Sequence, residues 1–162
     1  MSSPVTLRPA TEQDDAFLYD LFKAVRMPDF AHVTLPPEQL EGLMKMQYAG
    51  QKFSYSTQYP GPGHDIVLLD DVPVGRIWVN RSGSEHLLVD IALLPAVQNR
   101  GIGGALLQDV VAAAKQAGVP VKCSVAVTNP GSLRFHQRLG FIVTGNGDTL
   151  DGRRVAFLTR SV

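Results

Sequence analysis

The chain has 162 residues, 44% of them hydrophobic and 19% charged, which suffices for the core of one compact domain. Fifteen basic residues balance fifteen acidic ones, so the net charge gives no electrostatic reason to expect nucleic acid or an anionic membrane as a partner. Cys123 is the only cysteine, which excludes an intrachain disulfide and a thiolate metal cluster, and we expect no metal.

The chain is predicted to begin with a strand and a helix. Residues 5–8 alternate apolar and polar side chains, as in a strand with one buried face. Thr11 then resembles an N-cap, with Asp14 as its capping-box partner. Apolar residues follow at helical spacing, and the helix is predicted to end before Pro28.

A second helix is predicted at residues 37–48, with Gly50 as its stop. The proline- and glycine-rich segment 59–63 is compatible only with a loop. Beyond it the pattern predicts three strands, at residues 66–69, 74–79 and 86–94, the first two joined by a tight turn. The third is nearly continuously apolar, which indicates a central strand covered on both faces.

The second half of the chain continues with a helix at residues 101–117 and a buried strand at 121–127. Asn129 is predicted to cap a short helix that stops at Gly140. Two final strands are predicted at residues 141–145 and 154–159, separated by a turn at Asp151-Gly152. The order β-α-α-β-β-β-α-β-α-β-β predicts an α/β fold, a mixed sheet with helices on its faces.

The location of the protein and its number of domains are predicted from targeting segments, membrane-spanning segments and linkers, none of which the sequence shows. The segment Met1-Ser2-Ser3-Pro4 is not the charged and then apolar start of a signal peptide, and no apolar run approaches the roughly 20 residues that cross a bilayer. We therefore expect a cytoplasmic protein. No repeat or linker divides the sequence, so residues 1–162 are predicted to form a single domain.

A glycine-rich segment at residues 98–104 separates the buried strand from the helix after it. Three glycines in four residues allow backbone N–H groups to approach a ligand, and the start of a helix favours an anion such as pyrophosphate. No lysine followed by serine or threonine completes a P-loop, and Leu106 stands where a dinucleotide fingerprint needs glycine. A turn that only joins strand to helix remains an alternative.

Two motifs together resemble the GNAT family of N-acetyltransferases. Gln98-x-x-Gly101-x-Gly103 matches the family's R/Q-x-x-G-x-G/A signature. Residues 129–141 are similar to its N-x-x-A-x-x-x-Y-x-x-x-G-F segment, with Ser132 at the small-residue position and His136 in place of tyrosine. The order of predicted elements also agrees with that family over nearly the whole chain.

The resemblance implies a mostly antiparallel twisted sheet of about seven strands, helices on both faces, and a V-shaped splay between strands 4 and 5. It also implies an acetyl-CoA site, with the backbone of Leu93 and Leu94 pairing with the pantetheine arm. Backbone amides would hold the pyrophosphate and Arg100 would contact it from the rim. The cofactor positions implied in this way are Leu93, Leu94, Gln98, Arg100, Gly101, Gly103, Gly104, Ala105, Asn129 and Ser132; Asn129 could equally be only an N-cap.

The implied reaction is direct attack of a primary amine on the bound thioester. His136 would protonate the departing thiolate, since the pKa of a histidine lies near neutrality, although it could instead be a solvated helix residue. Asp90 is the first candidate for the base, because a carboxylate within an apolar strand is costly unless it is paired or functional. Pairing of Asp90 with a basic side chain is the alternative, and Glu85 and His86 are weaker candidates.

The amine acceptor is implied to meet the first two helices. Arg26, Phe30 and Tyr48 are the candidate contacts, although Arg26 could be a surface residue at a helix end. A small amine or amino-acid-like metabolite is favoured over a protein amine. A homodimer is expected, because the short apolar strands at the C-terminus leave edges to cover. A non-catalytic acyl-CoA-binding sensor or subunit is the alternative function.

Overall fold

The computed structural model describes residues 5–149 and 153–162. The predicted turn at Asp151-Gly152 and the N-terminal segment Met1-Ser2-Ser3-Pro4 lie outside these residues. Within the described part of the chain, none of the helices combines the length and the apolar composition that a membrane crossing requires.

The described residues form seven strands and four α-helices, in the predicted order. The strands are Val5–Pro9 (β1), His64–Leu69 (β2), Val72–Ser82 (β3), Glu85–Leu93 (β4), Val121–Ala126 (β5), Ile142–Asp148 (β6) and Arg154–Arg160 (β7). The helices are Asp15–Arg26 (α1), Pro37–Gln58 (α2), Ile102–Ala117 (α3) and Pro130–Arg138 (α4). Short 3₁₀ turns lie at Glu12–Asp14, Met27–Phe30 and Pro95–Val97.

The strands are ordered β1-β2-β3-β4-β5-β7-β6 in one sheet. β1 and β2, β5 and β7, and β6 and β7 are antiparallel, whereas β4 and β5 run parallel. Among the described residues, the β4–β5 pairs run only from His86–Val121 to Leu88–Cys123, as expected for strands that splay. This mixed, mostly antiparallel sheet confirms the predicted α/β fold.

The chain divides into two compact units. One comprises the residues up to Ile77 together with Ile91–Arg100, and the other comprises Trp78–Asp90 together with Gly101–Val162. The expected single domain stays a prediction.

In the first unit, α1 and α2 pack against β2 through an apolar cluster. Its fully or nearly buried members are Leu18, Leu21, Phe22, Met44, Tyr48 and Ile66. Thr11 and Asp14 form the predicted capping box, and Asp14 also accepts two hydrogen bonds from the guanidinium of Arg8 at 2.8 and 2.9 Å. That ion pair lowers the pKa of Asp14 to about 2 and ties β1 to the start of α1.

In the second unit, α3 packs on β5. Leu107, Val110 and Ala114 are buried as the helical spacing predicts. Cys123 is buried in β5, and burial raises the pKa of its thiol to about 12.

The predicted end of the second helix is wrong. α2 continues through Gly50 to Gln58 and stops only before Pro60. A glycine inside a helix costs only about 1 kcal/mol relative to alanine. Contacts beyond it offset that cost: Gln51 accepts a hydrogen bond from Arg76 at 2.7 Å, and Lys52 lies 2.9 Å from Asp15.

The predicted β4 is confirmed with a shift of one residue. It covers Glu85–Leu93, and only His86 and Leu88 are buried, while the other residues are half-buried. His86 and Leu88 point to the same face of the sheet, so the expected complete cover on both faces is wrong: only one face is fully buried, and only in the first half of the strand.

Candidate cofactor and catalytic site

The end of β4 lies unusually close to β3 because of Gly75. A Cβ at this position would lie 2.3 Å from the carbonyl oxygen of Ala92 and 3.2 Å from the Cα of Leu93. Only glycine permits this approach. Gly75 therefore helps to set the course of the backbone at Leu93.

The backbone groups of Leu94 are already used within the protein. Its N–H donates to the carbonyl oxygen of Val74 at 2.8 Å, and its carbonyl accepts from the N–H of Val97 at 3.0 Å. These bonds conflict with the predicted pairing of Leu94 with a pantetheine arm. The reason is that a strand directs the backbone groups of successive residues to opposite edges. Leu94 is directed towards β3, so the groups of Leu93 lie on the opposite edge.

The side chain of Gln98 links the glycine-rich loop to the end of β4. Its Nε2 donates to the carbonyl oxygen of Leu93 at 2.9 Å, a contact that the sequence did not predict. The Gln98 side chain thus helps to orient Leu93, the residue of the pair Leu93 and Leu94 whose backbone groups face away from β3.

The loop reaches α3 through two residues with left-handed backbone. Asn99 has φ 62° and Gly101 has φ 81°, and both are exposed together with Arg100. Gly101 is the N-cap of α3, and it provides no side-chain hydrogen bond to the helix. No atom lies within 4 Å of the position that a Cβ on Gly101 would take, whereas a Cβ on Gly104 would lie 3.8 Å from the ring of Phe135.

The start of α3 presents backbone donors to that space. The first intrahelical bond runs from the N–H of Ala105 to the carbonyl oxygen of Gly101 at 3.1 Å. The amides of Gly101, Ile102, Gly103 and Gly104 therefore have no acceptor within the helix. The Ala105 amide, in contrast, already has an acceptor within the helix, and its predicted contact with the cofactor stays a prediction.

α4 begins with the predicted cap. The side-chain oxygen of Asn129 accepts a hydrogen bond from the backbone N–H of Ser132 at 3.1 Å. The cap uses only Oδ1, so the amide nitrogen of Asn129 takes no part in it. The Ser132 backbone amide, in contrast, is used in holding the cap.

His136 lies in the last turn of α4 and is 4% exposed, so the alternative of a solvated residue is wrong. Its Nδ1 donates to the carbonyl oxygen of Ser132 at 2.8 Å. Edge-to-face contacts with Phe135 and Phe141 enclose the ring, with centroids 5.4 and 5.5 Å away. Burial lowers the pKa of His136, and the Ser132 carbonyl offsets part of this effect.

The candidate bases occupy different environments along β4. Asp90 is half-buried in the second half of the strand. Glu85 lies 3.6 Å from Lys122, which makes it a surface ion-pair partner. His86, the other weaker candidate, is buried. Its pKa is lowered chiefly by burial, and its Nδ1 has no hydrogen-bond partner among the described residues.

Two of the three candidate acceptor contacts, Arg26 and Tyr48, lie against Phe22. Tyr48 packs edge-on against Phe22 and donates its hydroxyl hydrogen to Asp15 at 2.7 Å. The guanidinium of Arg26 stacks over the Phe22 ring at 5.0 Å, and Arg26 is buried, so the surface alternative is wrong. Phe30 is half-buried against the same cluster.

Comparison with known proteins decides the family. The sequence profile described as "Acetyltransferase (GNAT) family" matches residues 27–141, well over half of the chain. The chain belongs to the GNAT family.

A curated relative and several solved structures are similar to this GNAT chain. An uncharacterized N-acetyltransferase of Methanocaldococcus jannaschii is 28% identical over 145 residues. The match covers 84% of the chain but only 60% of that relative's length.

Two solved structures share the fold at low sequence identity. The PaiA N-acetyltransferase of Thermoplasma acidophilum, in complex with coenzyme A, aligns with a TM-score of 0.69 at 17% identity and covers 98% of this chain and 99% of its own. The ribosomal-protein-S18-alanine N-acetyltransferase of Escherichia coli aligns with a TM-score of 0.63 at 19% identity, covering 98% and 96%.

Sequence reasoning missed two positions of this candidate site. Gly75 carried a signal, since a glycine inside an apolar strand indicates a bulge or a close approach of another backbone. Ile102 carried none, because its contribution is a backbone amide that depends only on where α3 begins.

Proposed function

We propose that this protein is an N-acetyltransferase that transfers the acetyl group of acetyl-CoA to a primary amine by direct attack. Membership of the GNAT family supports the reaction class. The observation that carries the proposal is the start of α3, where the N-cap is a glycine and the first four amides have no acceptor within the helix.

These features fit a pyrophosphate. The amides of Gly101, Ile102, Gly103 and Gly104 supply donors, and the positive end of the α3 dipole adds to the attraction for an anion. Arg100 is exposed beside them and can add a charge-assisted hydrogen bond. Asn129 and Ser132, at the start of α4, remain proposed cofactor contacts, Asn129 through its amide nitrogen.

Leu93 is proposed to act at the reacting carbonyl. When bound, acetyl-CoA supplies an activated thioester. The N–H of Leu93 lies on the edge of β4 away from β3 and would stabilise negative charge on the carbonyl oxygen. Gly75 and Gln98 hold this part of the backbone, and Asp90 is the proposed carboxylate that assists proton removal from the amine.

The acceptor is proposed to be a small amine or an amino-acid-like metabolite, with Arg26, Phe30 and Tyr48 contributing to its site. Arg26 is buried and its guanidinium lies 3.9 Å from the carboxylate of Asp29. The E. coli relative acts on an alanine of ribosomal protein S18, so a protein amine is a second acceptor class to test. The cytoplasmic location stays a prediction.

Release of free CoA thiol tests the proposal. The protein is incubated with acetyl-CoA and a panel of amino acids, alkyl amines and peptides with free N-termini, and thiol is measured against a control without acceptor. Acceptor-dependent thiol release with a matching acetylated product is expected. Tight acetyl-CoA binding without turnover on any amine would favour the non-catalytic sensor or subunit.

A further inference from the structure

The hydrogen bond of His136 determines which ring nitrogen carries the proton. Nδ1 lies 2.8 Å from the carbonyl oxygen of Ser132, and a carbonyl oxygen can only accept. Nδ1 must therefore carry the hydrogen. In the neutral ring, Nε2 then has a lone pair and no hydrogen, so it is able to accept a proton but not to donate one.

The ring is also fixed in orientation. Phe135 and Phe141 contact it at interplanar angles of 88° and 82°. Together with the Nδ1 bond, these contacts oppose the rotation of the ring that would put Cδ2 in the place of Nδ1. Contacts with α4 and with Phe141 thus hold the ring so that Nδ1 is the hydrogen-bond donor and Nε2 the acceptor.

The charged groups around His136 do not favour its protonated form. On α4 itself and on the adjoining α3, β5 and β7 they are Asp109, Lys115, Lys122, Arg134, Arg138, Arg154 and Arg160. All are exposed except the half-buried Arg160, whose Nε donates to the carbonyl oxygen of Leu139. Among the described residues, the causes that shift the pKa of His136 are burial, which lowers it, and the Ser132 carbonyl, which raises it.

We propose that His136 accepts a proton at Nε2 before it donates one, and so serves as a proton carrier between the amine and the departing thiolate. This inference rests on the proposed acetyl transfer. Asp90 assists removal of the first proton, which leaves the neutral amine. As the amine nitrogen then bonds to the acetyl carbon, the second proton that it must lose passes to Nε2, directly or through water. The carbon–sulfur bond then breaks, its electron pair stays on sulfur, and the proton at Nε2 passes to that sulfur. The ring returns to its neutral form, and no other reactant is needed.

This order differs from the role expected from the tyrosine that the family often carries at this position. A phenol enters the reaction protonated and acts only as a donor. A neutral His136 whose only hydrogen is bonded to Ser132 cannot do so, because its Nε2 carries no hydrogen. The substitution therefore changes the direction of the first proton transfer.

The tautomer is tested without turnover. Imidazole nitrogens of the ¹⁵N-labelled protein are followed by NMR from pH 5 to 8, and His136 is assigned by its absence in His136→Asn. A neutral ring at pH 7.5 with hydrogen on Nδ1 is expected. Hydrogen on Nε2, or a charged ring at that pH, would overturn the proposal.

The pH dependence of turnover tests the direction of transfer. Because the neutral ring is the active form, kcat should fall as the pH drops through the pKa that NMR measures for His136, below the ordinary value of about 6.5. Protonation of the amine gives a separate limb at higher pH. A kcat that instead falls as the pH rises through the NMR midpoint would contradict the proposal.

Two variants separate this role from a structural one. His136→Asn keeps a side-chain donor for Ser132 but cannot carry the proton, so kcat should fall about 10²-fold with KM for acetyl-CoA nearly unchanged, and the low-pH limb should vanish. His136→Tyr can donate but not accept a proton near neutrality, and wild-type turnover in this variant would overturn the inference. His64→Asn on β2 is the control. Absence of turnover in the wild type would count against acetyl transfer itself, whatever the tautomer.

Discussion

Single glycines control where the backbone of this protein is open to a ligand. Gly101 takes a left-handed conformation at the start of α3, which L side chains rarely adopt. Gly103 differs, because it lies inside the first turn of the helix and its φ is not positive. A side chain at Gly103 is therefore compatible with the helix, and its effect would report on the ligand.

Gly103→Val should weaken acetyl-CoA binding at least 10-fold, about 1.4 kcal/mol, because the side chain would occupy the space through which phosphate approaches the amides. Isothermal titration calorimetry measures the affinity. Gly42→Val is the matched control, since Gly42 is an exposed glycine of α2 with no atom within 4 Å of its Cβ position. Wild-type affinity in a folded Gly103→Val protein would reject the assignment of the phosphate site.

Within the secondary-structure elements, glycine has opposite effects on stability in α2 and in β3. Gly50 lies in the interior of α2 and is exposed, with no atom within 4 Å of its Cβ position. Gly75 lies in β3 with the Ala92 carbonyl oxygen 2.3 Å from its Cβ position. Glycine is replaceable in the first case and required in the second.

Gly50→Ala should therefore stabilise the protein by about 0.5–1 kcal/mol, because alanine loses less conformational entropy in a helix. Gly75→Ala should destabilise it, because the backbone of β4 must move away. Urea denaturation of the two variants and the wild type measures both changes. A destabilised Gly50→Ala protein would mean that the second half of α2 is not helical in solution.

For the whole molecule, the C-terminal edge of the sheet is the surface that bears on self-association. β6 is the last strand in the sheet order, and Ile142 and Val143 in it are 60% and 44% exposed. Phe157 of β7 is 43% exposed, and its ring lies against Gly147, whose Cβ would be 2.6 Å from it. An exposed apolar edge strand favours association with another chain.

We expect a two-fold homodimer through this edge. Light scattering coupled to size exclusion at micromolar concentration should give twice the monomer mass. Ile142→Lys should lower the measured mass to that of a monomer, because a charge would be buried in the contact. Phe53→Lys on α2 is the control for another exposed apolar residue, 73% exposed. A wild-type monomer would reject the prediction, and dissociation only by Phe53→Lys would move the interface to α2.

The sequence by itself determined the elements and the positions of the two motifs. Apolar spacing, the Thr11 and Asn129 caps and the Gly140 stop act over a few residues, so they predict local structure well. The glycines of residues 101–104 likewise identify the start of α3 from local pattern alone.

Only the tertiary structure decided the features that depend on contacts distant in sequence. α2 passes Gly50 because Gln51 and Lys52 are held by Arg76 and Asp15, and no local signal encodes those partners. Leu93 and Leu94 are equivalent in sequence, and they differ because the Leu94 N–H bonds to Val74. The protonation state of His136 follows from its burial and from the Ser132 carbonyl one helical turn away, since burial penalises charge only once the chain has packed around the ring.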